Sequence, residues 1–353
     1  MMFVPRLLER MIAGYRLRTS NNVDPFRFPG KTKPEAVGLR TSARALLSIL
    51  RAAKPSLNDA TSSRLLLDVC AFRILGGRHY RLPRNDEFFW QSVKSVEREA
   101  LIERNVSRVG NYDLDLYRLP GANGPIELEA HAMNILNSFF IREYRFDRSG
   151  VVVDAEGSDI VIDGGGCWGD TALYFADRAP KGKVFVFEFE ERNLEVLRRN
   201  LARNPRLAER IEIVEKALWS KSGETLHFAD AGPGTRIGSG SIAVESMSID
   251  DLAADLPRVD FIKLDVEGAE IPVLHGAQNT IRSFAPKLAV SIYHSIHDLL
   301  TIPQLLQELD YHVYIDHATI HAEETIAFGV VATAALSGRS GATHRLAPPS
   351  AAL

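Results

Sequence analysis

From about residue 150 onward the chain alternates short β-branched runs with amphipathic stripes. Residues 151–153, 160–162, 183–188, 211–214, 259–265, 287–292, 311–315 and 325–330 are apolar and extended in pattern, which predicts strands. Between them, residues 170–178, 194–202, 250–256, 269–284 and 299–309 repeat apolar positions at helical spacing, with Asp170 and Thr171 offering an N-cap to the first of these helices. Such alternation implies an α/β fold with a doubly wound, mainly parallel sheet covered by helices on both faces. The last two strands have no long helix between them, which implies one antiparallel strand. Residues 225–228 and 241–245 flank a glycine-rich loop at 232–240 and predict an edge hairpin.

The pattern before residue 150 differs. Leu39, Ala43, Leu46, Leu47 and Leu50 form a helical stripe over 37–53, stopped by Lys54-Pro55. A second stripe over 63–75 is closed by Gly76-Gly77. Residues 113–117 alternate like a strand, and 130–146 is aromatic and helical where it starts. The expected division is a mostly helical N-terminal region (1–125), a doubly wound domain (126–336) and a disordered tail (337–353). The first 33 residues are basic, with Arg6, Arg10, Arg16, Arg18, Arg27, Lys31 and Lys33 against Glu9 and Asp24. Phe3, Leu7, Leu8, Met11, Ile12 and Tyr15 add an apolar stripe, so a peripheral membrane contact or a docking helix is expected there. A secretory signal is not, since no uninterrupted apolar core or small-residue cleavage site is present.

Composition narrows the class. Over 353 residues, 45% are hydrophobic and 25% charged, as in an ordinary soluble domain. A net charge of -3 gives no case for nucleic acid binding. Cys70 and Cys167 stand far apart with no CxxC pair, which argues against a disulfide framework or a cysteine zinc site and makes a reducing compartment, the cytoplasm, the default expectation. No apolar run approaches a membrane span of about 20 residues.

The candidate chemistry starts at residues 160–171, where a β-branched run is followed by Asp163, three glycines, Gly169 and a helix start. There is no Lys-Ser/Thr pair, so it is not a P-loop. Gly164, Gly166 and Gly169 do match the dinucleotide spacing, with Gly165 between them. Asp163 decides the ligand: a carboxylate before the glycines repels a pyrophosphate and attracts an ammonium, which favours S-adenosylmethionine. Glu188 ends the next strand about 25 residues later, where a carboxylate accepts two ribose hydroxyls. Ala217, after Lys216, is placed to flank an adenine. Lys263 and Asp265 alternate on one strand and so share a face, and Glu267 follows in the turn. His294 sits beyond the strand ending at Ile292 and serves either as a general base or as the partner that orders the mouth of the site. Asp265, Glu267 and His294 could also bind a divalent metal, which the sequence neither requires nor excludes, and no metal ligand is assigned.

These runs resemble the FkbM family of S-adenosylmethionine-dependent methyltransferases over about residues 150–330. The likeness rests on Ile162-Asp163-Gly164-Gly165-Gly166-Cys167-Trp168-Gly169-Asp170-Thr171, Phe187-Glu188, Asn200, Ile249-Asp250-Asp251-Leu252, Tyr293-His294 and the block from Phe261 to Glu270 with Val273-Leu274-His275-Gly276-Ala277. Two positions depart from the family pattern: Gly165-Gly166-Cys167 replaces its usual Gly-Ala-Asn, and Phe189 replaces a frequent proline. The resemblance implies a class I methyltransferase (Rossmann-like) fold and O-methylation of a sugar, glycan precursor or other hydroxylated metabolite, without fixing the acceptor or the oligomeric state. In that chemistry Asp163 holds the methionine ammonium, Glu188 the ribose, and His294 is the first choice of base, ahead of Asp265 and Glu267. Two rivals remain, an NAD-dependent oxidoreductase and a non-catalytic cofactor-binding module. The Lys263 to Glu270 block has no role in the first, and the intact acids and His294 argue against the second.

Overall fold

A computed structural model describes residues 57–331 apart from Arg78 and Ser239, together with Arg6. The stripe predicted over 37–53, the basic N-terminal segment other than Arg6, and the tail from 337 lie outside the described residues.

Helix α1 (Ala60–Leu75) starts at Asp59, whose carboxylate accepts from the Ser62 amide, and ends at Gly76 with φ +76°. Helix α2 (Glu87–Ser95) is capped by Asp86, which accepts from Phe89 N at 2.9 Å. Three antiparallel strands follow, β1 (Leu101–Val109), β2 (Tyr112–Leu119) and β3 (Ile126–Ala130). Within the expected N-terminal region, the described residues thus hold two α-helices and also an antiparallel hairpin that the sequence pattern did not announce. Strand β1 shows no alternation because only Val109 in it is buried. The division expected at residue 125 also falls inside the β2–β3 pairing, where Leu119 faces Ile126. A short helix α3 (Ala132–Ile135) runs into a π-turn (Leu136–Ile141), and β4 (Phe146–Arg148) pairs with β5 (Val151–Val153).

The doubly wound part runs β6 (Ile160–Gly164), α4 (Asp170–Arg178), β7 (Lys183–Phe187), α5 (Glu191–Arg203), α6 (Pro205–Ala208) and β8 (Ile211–Val214). Strands β9 (Ala217–Leu218), β10 (Thr225–Phe228) and β11 (Ile242–Met247) form the side sheet, with β10–β11 as the predicted hairpin. Helix α7 (Ile249–Ala253), β12 (Phe261–Leu264), α8 (Glu270–His275), α9 (Gln278–Phe284), β13 (Lys287–Ser291), α10 (Asp298–Glu308), β14 (Tyr311–His317) and β15 (Thr325–Val331) complete it. The seven-stranded sheet has the order β14-β15-β13-β12-β6-β7-β8, and β15 alone runs antiparallel to its neighbours. This is a Rossmann-like, class I methyltransferase topology, as expected. The single helix expected over 269–284 is two. Gly276 lies so close to the Trp219 carbonyl that a Cβ would overlap it, and Asp250 caps the second half by accepting from Thr280 N at 2.8 Å and Asn279 N at 3.1 Å.

Successive strand residues point to opposite faces, and the two faces carry separate cores. Ile162, Phe185, Ile262 and Leu288 pack with α1 and α10, whereas Val161, Val184, Phe261 and Ala289 pack with α4, β2 and β3. The N-terminal segment thus supplies cover for both faces. Buried Asn200 of α5 locks one of these contacts. It accepts from Glu129 N at 2.7 Å and donates to Glu129 O and Trp168 O, both at 2.8 Å. Asn200→Ala is expected to lower the unfolding free energy by about 2–3 kcal/mol, since it strands buried backbone groups. Urea unfolding measures this, and a change within error would show that water replaces the amide.

Candidate active site

The glycine turn is built by a close approach. Gly165 has φ +82°, and a Cβ on it would overlap the Asp265 carbonyl, so only glycine fits. Gly165 N and Gly166 N both donate to Phe187 O, at 3.1 and 2.8 Å. Helix α4 takes Gly169 as its N-cap, not Asp170 or Thr171. Both side chains have other partners. Asp170 accepts from Ser138 Oγ at 2.6 Å and Asn134 Nδ2 at 3.4 Å, while burial pushes its carboxyl up from the ordinary value. Thr171 Oγ1 donates to Asp163 Oδ2 at 2.7 Å.

Asp163 is fully buried and pairs with Lys263 at 3.0 Å. Lys263 also donates to Gly164 O at 3.0 Å and Gly165 O at 2.7 Å. Burial works against its charge, but Asp163 and then Asp265 outweigh that and hold the ammonium above its ordinary value. Asp163 therefore neutralises an internal cation and does not reach the wall of the cavity, which corrects its expected contact with a ligand ammonium.

That cavity, about 670 Å³, opens where β6 is flanked by β7 on one side and β12 on the other, the switch point of a doubly wound sheet. Of the predicted residues, Gly165, Glu188, Lys263, Asp265, Glu267 and His294 line it. Gly164, Gly166 and Gly169 do not line it, and Ala217 is buried while its neighbours Lys216 and Leu218 reach the cavity. Glu188 accepts from Phe189 N at 2.7 Å and Glu190 N at 2.8 Å, and Asn193 Nδ2 approaches its other oxygen at 3.3 Å. Burial raises its pKa to about 7 despite those bonds, with the Glu190 charge adding to the rise. Glu190 itself caps α5 through Asn193 N at 2.8 Å. Phe189, at the departure from the family pattern, meets Phe228 edge-on at 4.9 Å.

At the tip of β12 the carboxylate of Asp265 accepts from Tyr144 Oη at 2.7 Å and from Tyr293 Oη at 3.0 and 3.1 Å. Although burial opposes it, the His294 and Lys263 charges and these hydroxyls hold its pKa below the ordinary value. Glu267 has φ +52°, a costly conformation for a non-glycine residue, and contacts Arg236 at 3.3 Å; burial raises its pKa. His294 lies between acids: Nε2 is 3.3 Å from Asp265 Oδ1 and 3.5 Å from Glu267 Oε2, and Nδ1 is 2.9 Å from Glu270 Oε1. Burial disfavours the imidazolium, yet Glu270, Asp265 and Glu267 raise His294 to about 9. With both ring nitrogens facing carboxylates, His294 offers no free lone pair to an acceptor. The ordering role fits this geometry, and that of first-choice base does not.

Several wall residues carried no sequence signal. Tyr144 and Glu143 come from the aromatic run after the π-turn, and Arg73 comes from α1. Arg73 Nη2 donates to the carbonyls of Tyr293 and Ala322. Burial, then the Glu324 and Asp265 charges, push Glu143 well above the carboxylate range. Glu270 stood inside the quoted block, but its contact with His294 depends on tertiary structure.

The sheet order is that of the class I methyltransferase fold, and the cavity lies at its switch point. Residues 148–313 match the methyltransferase FkbM domain. Among solved structures, the chain is similar to methyltransferase FkbM from Methylobacillus flagellatus KT, at 19% identity and a TM-score of 0.49, over 82% of this chain and 58% of that one. It thus spans little more than half of that structure's length. It is also similar to a precorrin-6y C5,15-methyltransferase from Geobacter metallireducens (12% identity, TM-score 0.35, 51% of this chain and 84% of that one). A third is an S-adenosylmethionine-dependent O-methyltransferase from Thermotoga maritima (18% identity, TM-score 0.34, 51% and 61%). A comparison with curated proteins gave no match. The family points to S-adenosylmethionine as the cofactor. The cavity fits it: Glu143, Asp170, Glu188 and Asp265 suit a cationic ligand with a ribose diol and would repel a pyrophosphate.

Proposed function

We propose that this chain is an S-adenosylmethionine-dependent O-methyltransferase acting on a hydroxyl of a sugar, a polysaccharide precursor or another hydroxylated metabolite. The observation that carries the reading is the Asp265–Glu267–His294 cluster at the β12 tip, in the same cavity as Glu188 beyond β7. When bound, the cofactor supplies a methyl group on a sulfonium, which is already a strong electrophile. The protein's task is to align an acceptor oxygen and to remove its proton. Glu188 holds the ribose hydroxyls. Asp170 and Glu143, which line the cavity, take the ammonium role expected of Asp163. Asp265 and Glu267 present carboxylates to the acceptor and receive its proton, and His294 holds the two in place. Asp170 and Asp265 beside the glycine turn suit a pyrophosphate poorly, so the oxidoreductase reading is not favoured. Among the described residues no helix is long and apolar enough to cross a membrane. The two free cysteines, Cys70 and Cys167, accord with a cytoplasmic setting.

Transfer of labelled methyl from S-adenosylmethionine to a panel of hydroxylated sugars tests the reading. Asp265→Asn is expected to lower kcat by about 10²–10⁴-fold, the range of a lost general base. Calorimetry that finds NAD binding and no S-adenosylhomocysteine binding would sink the assignment. Cofactor binding without transfer to any acceptor would favour the binding module.

A further inference from the structure

Helical turns of the π type gather at functional sites, and the one over Leu136–Ile141 borders the cavity through Asn137. The amides of Arg142 and Glu143 both donate to Asn137 O, the second at 3.0 Å, and Arg142 turns the chain with φ +59°. That closure sets Glu143 next to Asn137, and Glu143 lines the cavity as well. The same turn holds Asp170, since Ser138 Oγ donates to its carboxylate at 2.6 Å.

Two oxygens of this group stand out. Asn137 is 4% exposed and Glu143 is 9% exposed, yet Asn137 Oδ1 and Glu143 Oε2 have no hydrogen-bond partner. Buried polar atoms are normally bonded. With Asp170, which is also buried and on the wall, three residues present acceptors to the cavity. An occupant must therefore donate. A primary ammonium carries three N–H donors, whereas an anion is repelled.

The cations of the wall are already engaged. Lys263, whose charge reaches Asp170, is held by Asp163 at 3.0 Å. Lys216 pairs with Glu245 at 2.7 Å and Arg236 with Glu267 at 3.3 Å. Arg73 donates to the Tyr293 and Ala322 carbonyls. Among the described residues, no lysine or arginine of the wall is set aside for a carboxylate.

We propose that Asn137, Glu143 and Asp170 form a subsite that reads the amine of the cofactor's amino-acid tail and not its carboxylate, with Asn137 setting the preference. The identity of the ligand rests on the methyltransferase reading. The ligand class that follows is a thioether or sulfonium nucleoside whose side chain ends in a primary ammonium, with or without a carboxylate beside it.

The test is calorimetry on the full chain with S-adenosylhomocysteine and two analogues, one with the amine replaced by hydrogen and one with the carboxylate replaced by hydrogen. The deaminated analogue is expected to bind about 100-fold more weakly than the parent, the scale of one or two hydrogen bonds to a charged group. The decarboxylated analogue is expected to bind as tightly as the parent or more tightly. Asn137→Leu should shrink the preference for the amine by about 10-fold. Asn137→Asp keeps an acceptor oxygen at that place and should retain the preference. These ratios separate the subsite from a general loosening of the fold, which would weaken all three ligands together. The wild-type comparison needs no variant to fold. Equal binding of the parent and the deaminated analogue would overturn the proposal. So would a decarboxylated analogue weaker than the parent, or an unchanged preference in a folded Asn137→Leu chain. In each of those cases binding of the parent leaves the methyltransferase reading standing, whereas no binding of any of the three removes both.

Discussion

Replacing Lys263 with methionine is expected to lower the folding free energy by about 3–5 kcal/mol, because it leaves a buried carboxylate without its counter-ion. Asp163 is fully buried and Lys263 is 1% exposed, so water cannot take over for either group. The loss extends beyond charge. The ammonium also ties the Gly164 and Gly165 carbonyls to β12, so the glycine turn should loosen with it. A second substitution separates these effects. Asp163→Asn added to Lys263→Met removes the orphan charge and should recover a large share of the stability, while the turn still lacks its tether. Urea unfolding of the two variants measures both parts. A loss below about 1 kcal/mol for Lys263→Met, the scale of an exposed pair, would mean that the pair does not hold the turn.

The second large effect is expected at Glu188. Glu188→Gln should weaken S-adenosylhomocysteine binding by about 10–100-fold, the scale of one hydrogen bond to a charged acceptor. It should also change the pH dependence. Glu188 rests at about 7 in the fold against an ordinary 4.5, and ribose hydroxyls favour its charged form. Wild-type affinity should therefore fall as pH drops below about 7, with proton release on binding near that pH, while the glutamine variant should show neither. The stability sign is opposite to that of a salt-bridged acid. A folded pKa above the unfolded one means that the bound proton stabilises the fold below about pH 4.5, and that this contribution is lost as pH rises to 7. The rise from 4.5 to about 7 corresponds to about 3 kcal/mol at higher pH. Glu188→Gln should then be more stable than wild type at pH 8 while binding cofactor worse. A variant that is less stable at pH 8 would mean that the bonds from Phe189 N and Glu190 N outweigh the burial.

The doubly wound sheet was legible because its strands are short, buried runs set off by glycine, and because each helix carries a clear stripe. Strand β1 was not, since exposed residues on both of its faces erase the alternation. At the site, Glu188, Asp265, Glu267 and His294 could be read from strand ends alone. Asp163 illustrates the limit of that reasoning. Its place before the glycines is a backbone fact, but its partner is set by the neighbouring strand, where Lys263 lies directly across from it. Likewise, no local pattern could announce Tyr144 or Arg73, because each is brought to the cavity by packing against strands far along the chain.

The seat of α1 has a consequence for how the chain acquires this fold. Asn58 N donates to Val313 O at 3.0 Å, and Ile315 N donates to Ser62 Oγ at 2.8 Å, across a separation of 253 residues. On a ribosome, α1 emerges long before the strand it docks against, so its apolar side, with Leu66, Val69 and Cys70 buried in the finished protein, stays uncovered while most of the sheet is made. Contacts this distant in sequence slow folding. Synthesis at about 5–20 residues per second leaves such a helix waiting for roughly 12–50 seconds. That interval is when a chaperone would be expected to engage the chain, at α1.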